Sequence, residues 1–380
     1  IIAYIFYPNN KLNGMKTYSE KLTFDKSIKL ESGTVLSSFD LMIETYGELN
    51  HNKDNAVLVC HAFSGNHHAA GIKTEEGKPG WWDQIIGDNK TIDTSKYFVV
   101  SVNNLGGCDG SSGPTSISPE TNQLYGSSFP EVSVKDWVNA QKNLLEHFKI
   151  SAWEMVAGGS LGGMQALQWS ISYPNLIKRA AIIAASAKIS SQNIALNEVA
   201  REIIRKDENF AAGDYHLQNI KPKKGLKAAR MLGHITYLSE ANMRKRFGRK
   251  LQSPETRIDE EVNYEVENYL QYKGEQFAET FDANSYILMT KAMDSFDPAK
   301  DFEQDLVKCF KQIEAKLFIA SFNSDWLFPK EYGKDIQLSA IKAGVRSSYV
   351  ELEGDYGHDS FLFHSDEYAA SLKNFLESDE

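Results

Sequence analysis

The feature that most constrains this chain is residues 156–163, VAGGSLGG, where a single serine stands between glycines. Residues 153–156 before it are largely apolar, whereas residues 164–169 contain helix-forming residues with apolar spacing. A Gly-x-Ser-x-Gly segment between a strand and a helix lets the backbone turn sharply and lifts the serine oxygen above the sheet edge. The segment therefore predicts a strand, a tight turn and a helix, with Ser160 as a candidate nucleophile. A glycine-rich turn can also be an ordinary loop, so the rest of the chain must decide.

Apolar runs typical of buried strands alternate with helical patterns along most of the chain. Residues 21–49 come first and predict an antiparallel pair with a turn at Ser32 and Gly33. Later runs follow, of which residues 56–60 are continuously apolar, as in strands buried on both faces of a parallel sheet. These runs lie at residues 56–60, 97–102, 153–156, 179–185, 316–321 and 348–352, and the clearest helical patterns at residues 133–148 and 368–376. We therefore predict an α/β fold with a mostly parallel central sheet and helices on both faces.

The alternation of strands and helices stops between residues 186 and 296, where the patterns are helical and contain no convincing strand. We therefore predict a core domain built from residues 15–185 and 297–380, with residues 186–296 inserted as a helical lid. The chain begins with an apolar run that lacks an initiator methionine and a basic leader. We expect residues 1–14 to be a disordered or non-native extension, with the natural start near Met15.

The composition excludes several classes of function. A formal net charge of −10 disfavours general binding to nucleic acid or to anionic membranes. No apolar run approaches the roughly 18 residues that a membrane-spanning helix needs. The three cysteines are Cys60, Cys108 and Cys309, and their scattered positions form no Cys-x-x-Cys pair. This usage is typical of a reducing compartment, so we expect a cytoplasmic protein.

Three chemically reactive side chains follow predicted strands, at the edge where open parallel sheets bind ligands. They are Ser160, Asp325 and His358. A serine hydroxyl becomes a nucleophile when an imidazole takes its proton and a carboxylate orients that imidazole. Asp325 alone could be a turn aspartate, and His358 alone a packing histidine. The order Ser, Asp, His is that of the α/β-hydrolase scaffold, so the three together predict a catalytic triad.

Acyl chemistry also needs donors for the oxyanion. In this scaffold they are the backbone N–H after the nucleophile, here Leu161, and one after an early central strand, here in the turn of Ala62 and Phe63. His61, His67 and His68 could be imagined as a metal cluster, but no His-x-x-x-His helix and no Cys or Asp partner supports one. We therefore expect no metal and no permanently bound cofactor.

Several longer motifs resemble the homoserine O-acyltransferases of the methionine pathway, a branch of the α/β-hydrolase superfamily. The resemblance extends from about Tyr18 to the C-terminus. The motifs are HAFSG at 61–65, GWWD at 80–83, NLGGC at 104–108, GSSGP at 110–114, GSLGGMQAL at 159–167, SDWLFP at 324–329 and GHDSFL at 357–362. The family more often has Leu-Thr where this chain has Phe63 and Ser64, a difference that could alter the acyl pocket without changing the triad.

The resemblance implies a ping-pong reaction in which acyl-CoA acylates Ser160 and the acyl group then passes to the side-chain hydroxyl of L-homoserine. It also implies that Arg230 binds the carboxylate of the acceptor and that Asp359 binds its ammonium group. A bidentate arginine–carboxylate contact would suit this role. Without the resemblance, Arg230 would be interpreted as a solvated helix charge. The resemblance further implies a homodimer joined through the helical lid.

The acyl donor and the acceptor are less constrained. In relatives that use succinyl-CoA, an arginine stands two positions after the catalytic aspartate, where this chain has Leu327. We therefore predict acetyl-CoA as the co-substrate. A homoserine O-succinyltransferase remains an alternative, as does a serine O-acyltransferase, because one methylene changes binding by only about 1–3 kcal/mol. An esterase would use the same triad, whereas a non-catalytic binding module would not need it.

Residues 221–250 carry ten Lys and Arg residues against one acidic residue, Glu240. This basic segment could attract the phosphates of CoA to the mouth of the site. It could equally be a solvated helix face.

Overall fold

The computed structural model describes residues 15–72, 77–253 and 263–378. Residues 1–14, for which we expect an extension, lie outside the described part. An eight-stranded sheet in the order β1-β4-β8-β5-β9-β10-β11-β12 forms the centre of the protein. The strands are β1 Thr17–Phe24, β2 Ile28–Lys29, β3 Val35–Leu36, β4 Phe39–Tyr46, β5 Ala56–Cys60, β6 Ile86–Gly87, β7 Ile92–Asp93, β8 Phe98–Val102, β9 Met155–Gly159, β10 Arg179–Ile183, β11 Lys316–Phe322 and β12 Ser347–Leu352.

The sheet topology confirms the predicted fold class. Strand β4 pairs antiparallel with β1 and β8, whereas β5 runs parallel to β8 and β9. Strands β10, β11 and β12 continue the parallel part. The short pair β2 and β3 encloses the predicted turn at Ser32 and Gly33. All parallel strands therefore end at one edge, where the loops after β5, β9, β11 and β12 meet.

Helices cover both faces of the sheet. They are α1 Val134–Gln141, α2 Asn143–Phe148, α3 Leu161–Ser172, α4 Ser191–Arg205, α5 Lys223–Tyr237, α6 Glu240–Arg246, α7 Glu265–Thr280, α8 Ala283–Asp294, α9 Leu306–Phe310, α10 Lys330–Ala343 and α11 Asp366–Glu377. Strand β5 shows why both faces need cover: Leu58 belongs to the core under α1 and α3, and Val57 to the core under α11. A strand that is apolar at every position therefore supplies two cores.

The single helix predicted over residues 133–148 is two helices, α1 and α2. The side chain of Asn143 donates hydrogen bonds to the carbonyl oxygens of Asn139 and Ala140, at 3.2 and 2.9 Å. A side-chain amide that bonds these carbonyls competes with the backbone N–H groups of a continuous helix. This local competition accounts for the break, which hydrophobic periodicity does not reveal.

Between Ile183 and Lys316 the named elements of the described residues are all helical, including α4 to α8. Helix α5 packs between α4 and α7. Hydrogen bonds tie this helical region to the loops at the sheet edge. Trp326 Nε1 donates to the carbonyl of Leu238 at 3.1 Å, and Ser239 Oγ donates to the carbonyl of Asp355 at 2.7 Å. Among the described helices, none is both long and apolar enough to cross a membrane.

Candidate active site

Ser160 lies in a strained turn between β9 and α3. Its φ of 57° and ψ of −123° lie where a residue other than glycine is rarely found, at a cost of about 1–3 kcal/mol. The neighbouring glycines are required by close packing. A Cβ atom on Gly162 would lie 2.0 Å from the carbonyl oxygen of Cys60, and one on Gly159 would lie 2.2 Å from the ring of Phe361. The turn therefore has the geometry of a nucleophile elbow.

The structure brings Ser160, His358 and Asp325 into one hydrogen-bonded chain, and all three are buried. Ser160 Oγ lies 2.8 Å from His358 Nε2, and His358 Nδ1 lies 2.7 Å from Asp325 Oδ2. The other carboxylate oxygen of Asp325 accepts the N–H groups of Leu327 and Phe328, at 3.0 and 2.8 Å. Because His358 Nδ1–H donates a hydrogen bond to Asp325, the unprotonated Nε2 can take the proton of the serine hydroxyl.

The electrostatics of His358 suit a general base. Burial alone would lower its pKa, but the charge and hydrogen bond of Asp325, with a further contribution from Asp359, outweigh burial and raise the pKa. The two loops that carry this pair are joined by Ser324, whose hydroxyl donates to the carbonyl of Gly354 and accepts the N–H of Gly357. These bonds between the two loops therefore fix the position of His358 relative to Asp325.

The predicted oxyanion donors lie at the ends of β5 and β9. Leu161 is the first residue of α3, so its N–H has no acceptor within the helix. The loop of Phe63 is fixed by His61, whose Nε2 accepts the N–H of Asn104 at 3.1 Å while Nδ1 donates to the carbonyl of Ala62 at 2.7 Å. Burial lowers the pKa of His61, which keeps the ring neutral for both bonds.

The histidines near this loop do not converge on a metal. His68 Nδ1 lies 3.0 Å from Glu44 Oε2, and His61 makes the backbone contacts given above. In the described ranges no group of three or more metal-ligating side chains is placed to hold an ion.

The space above Ser160 is a small apolar cavity of about 60 Å³. Leu327 lies in its wall, and the carbonyl of Leu327 accepts a hydrogen bond from Asn193 at 3.1 Å. None of the described residues that line the cavity is Lys or Arg. Its apolar wall is formed by Phe63, Leu196, Ala200, Ala229, Leu232, Met293, Leu327 and Phe328. We call this space the acyl cavity.

A cluster of charged side chains lies beside the triad. The guanidinium of Arg230 is 4.7 Å from the ring centre of Phe277 and 5.5 Å from that of Tyr237. Burial raises the pKa of Asp359 to about 6, and the nearby positive charges of His358 and Arg230 offset only part of this rise. Burial lowers the pKa of Lys273, and repulsion from the positive charge of Arg230 lowers it further. We use the name cationic pocket for the following residues: Arg230, His234, Tyr237, Arg246, Tyr269, Lys273 and Asp359.

Sequence reasoning selected Arg230 and Asp359 but missed most of the cationic pocket. His234 and Tyr237 lie four and seven residues after Arg230 on α5, a spacing that places them on one helix face. That periodicity was the available signal. Lys273 and Tyr269 lie on α7, and their approach to α5 depends on helix packing that no local pattern reveals.

The comparisons with known proteins agree with the fold. Residues 55–365 match the family described as alpha/beta hydrolase fold. The sheet order, the elbow and the serine–histidine–aspartate chain are those of this class. By fold and site geometry, the protein is an α/β hydrolase.

Individual relatives within this class identify the family more narrowly. A homoserine O-succinyltransferase of Neisseria gonorrhoeae is 50% identical over 358 residues, covering 94% of each chain. The structure of a homoserine O-acetyltransferase from Bacillus anthracis superposes with a TM-score of 0.87 at 28% identity, covering 95% of this chain and 98% of that one. Esterase E22 superposes with a TM-score of 0.84 at 30% identity, covering 94% and 100%. The chain belongs to the homoserine O-acyltransferase family.

Proposed function

We propose that the protein transfers an acetyl group from acetyl-CoA to the hydroxyl of L-homoserine, in methionine biosynthesis, through an acyl-Ser160 intermediate. The observation that carries the proposal is the juxtaposition of two units. The chain of Ser160, His358 and Asp325 provides an acyl-transfer centre. The neighbouring charges of Arg230 and Asp359 suit the two charged groups of an amino acid.

The first half-reaction forms the acyl-enzyme. His358 Nε2 takes the proton of Ser160 Oγ, and the oxygen attacks the thioester carbonyl of the donor. The N–H groups of Phe63 and Leu161 stabilise the oxyanion. When the tetrahedral intermediate collapses, the C–S bond breaks and His358 returns its proton to the CoA thiolate. Asp325 stabilises the imidazolium while His358 holds the proton.

The second half-reaction transfers the acyl group. The acceptor hydroxyl gives its proton to His358 and attacks the acyl-enzyme carbonyl, and the proton then returns to Ser160 Oγ as the ester bond to serine breaks. Arg230 binds the α-carboxylate of the acceptor, and Asp359 in its ionised form binds the ammonium group. Both contacts hold the hydroxyl near the acyl carbon, which favours it over water.

The apolar wall supports acetyl-CoA as the donor. A succinyl group carries a second carboxylate, and the described residues around the acyl cavity offer it no Lys or Arg. Succinyl-CoA is the second candidate because relatives 48–51% identical are named homoserine O-succinyltransferases. Serine is the alternative acceptor, and hydrolysis is the alternative reaction, since an esterase is among the similar structures.

We also propose that residues 186–296 act as a lid that keeps water from the acyl-enzyme, above a core of residues 15–185 and 297–380. The lid is the proposed homodimer interface. Exposed apolar side chains on α4 support this assignment, with Ile194 40% and Val199 51% exposed.

The test is to supply acetyl-CoA or succinyl-CoA together with homoserine, serine or water, and to identify the products by mass spectrometry. O-acetylhomoserine should form fastest. Predominant O-succinylhomoserine would show that succinyl-CoA, rather than acetyl-CoA, is the donor. Predominant hydrolysis in the presence of homoserine would contradict acyl transfer.

A further inference from the structure

Helix α5 holds two buried polar atoms that have no hydrogen-bond partner among the described residues. They are Nη1 of Arg230 and Nε2 of His234. The two residues are four apart on the helix, so their side chains lie on one face, one turn from each other. His234 is only 6% exposed. Buried polar groups are nearly always satisfied, so a pair left unsatisfied on one face points to a missing ligand.

The contacts of His234 determine which ring nitrogen carries the proton. Its Nδ1 lies 3.2 Å from the hydroxyl oxygen of Tyr269. The guanidinium of Arg246 lies 4.8 Å from the centre of the Tyr269 ring and can only donate hydrogen bonds, so its charge favours the orientation in which the hydroxyl proton points away from it. The hydroxyl proton of Tyr269 is therefore free to be donated to His234 Nδ1. The proton of the neutral imidazole then lies on Nε2, and both unpartnered atoms on α5 are hydrogen-bond donors.

The charges around the pair favour an anion. Burial and the positive charges of Arg230, Lys273 and Arg246 lower the pKa of His234 to about 3, so the ring stays neutral at physiological pH. A neutral imidazole adds a donor without adding to the repulsion between these cations. Two donors on one helix face in a positive field suit the two oxygens of a carboxylate.

We propose that His234 Nε2–H and Arg230 Nη1–H together bind the α-carboxylate of the acceptor, with His234 as a specificity-determining residue. This inference rests on the proposed function. A carboxylate could come from the acceptor or from a succinyl donor. We assign it to the acceptor because Arg230 also acts on Asp359, which places the donors beside the group that suits an ammonium ion.

Two substitutions separate a binding role from a structural one. The side-chain nitrogen of glutamine reaches the position of Nε2, whereas that of asparagine reaches only the position of Nδ1. His234→Asn should therefore raise KM for homoserine about ten- to hundred-fold, the worth of one hydrogen bond to a charged group. His234→Gln should restore most of the loss. Formation of the acyl-enzyme from acetyl-CoA should be unchanged in both variants.

Homoserine amide provides the ligand-side control, because it lacks the carboxylate. The loss in His234→Asn should be smaller with the amide than with homoserine, because the neutral amide oxygen accepts a weaker hydrogen bond than a carboxylate. If His234→Asn folds poorly in a thermal melt, Tyr269→Phe replaces it. That variant frees Nδ1 to take the proton, and KM should rise several-fold for homoserine and less for the amide.

Distinct results would overturn the assignment. Equal losses in His234→Asn and His234→Gln, or the same loss with the amide, would show a structural role. A loss confined to acylation by succinyl-CoA would assign the carboxylate to the donor. If the parent protein forms an acyl-enzyme but transfers nothing to homoserine, the proposed function itself is wrong. The assignment of His234 and Arg230 to the acceptor carboxylate is then wrong as well.

Discussion

The acyl cavity and the cationic pocket lie on adjacent faces of the same helix and meet at Tyr237, yet they have opposite chemistry. Ala229, Leu232 and Thr236 of α5 line the acyl cavity, whereas Arg230 and His234 contribute to the cationic pocket. The 3.6-residue period of the helix is enough to separate the two surfaces. One helix can therefore present a neutral wall to the acyl group and paired donors to the acceptor.

The two regions also differ in what they need from a ligand. The acyl cavity is walled by apolar side chains whose burial stabilises the fold without an occupant. The cationic pocket instead holds unpartnered donors and repelling cations, which cost stability until an anion arrives. Under the proposed function, the donor would be selected by the absence of charge and the acceptor by its presence.

The largest expected effect comes from replacing Ser160, which lies next to both regions and is needed in both half-reactions. Ser160→Ala should lower the rate of acyl transfer at least about 10,000-fold, because no nucleophile remains to carry the acyl group. The measurement is the steady-state rate with acetyl-CoA and homoserine. Ser170→Ala is the matched control, since Ser170 is a buried serine on the following helix outside the triad. Comparable rates for the two variants would remove Ser160 from the mechanism.

Arg230→Ala tests the cationic pocket alone. KM for homoserine should rise about 100-fold, because a charged hydrogen-bonding group is lost. Acyl-enzyme formation from acetyl-CoA should remain near the parent rate in rapid-mixing experiments. Lys227→Ala is the control, as Lys227 lies one turn earlier on α5 and pairs with Glu275 at 2.8 Å. Equal damage to both half-reactions would show that the two regions are not functionally separate.

The pH profiles of the two half-reactions should also differ. As pH falls through about 6, Asp359 gains a proton and loses its attraction for the ammonium group. The value of kcat/KM for homoserine should then fall about tenfold per pH unit from this group alone. Acylation should lack this dependence on Asp359 and follow only His358, the base of both half-reactions, whose raised pKa places the loss of the base form above the usual value near 6.5. Asp359→Asn should remove the acceptor-specific limb, and an unchanged profile would contradict this assignment.

The smallest expected effect comes from giving the acyl cavity a charge. Leu327→Arg should increase acylation by succinyl-CoA relative to acetyl-CoA several-fold, because the new guanidinium can pair with the donor carboxylate. Competition between the two donors in one reaction measures this ratio directly. Leu327→Met keeps the volume without the charge and should leave the ratio unchanged. A parent protein that already prefers succinyl-CoA would show that a cation outside this wall selects the donor.

Much of the catalytic arrangement could be predicted from the sequence because it follows the ends of strands. Ser160, Asp325 and His358 each come just after an apolar run, and parallel strands bring such positions to one edge. The cationic pocket could not be predicted in the same way. It requires α5 and α7 to pack so that Tyr269 meets His234, and that contact depends on side-chain fit between distant segments. The break between α1 and α2 was missed because Asn143 acts through a local hydrogen bond rather than through hydrophobic spacing.

The most direct test of acyl transfer is the mass of the intact protein during a single turnover. Mixed with acetyl-CoA alone, the protein should gain the mass of one acetyl group, located on the peptide that contains Ser160. Added homoserine should then remove that mass much faster than water does, with O-acetylhomoserine released. An acyl-enzyme that is discharged equally fast with and without homoserine would contradict the account.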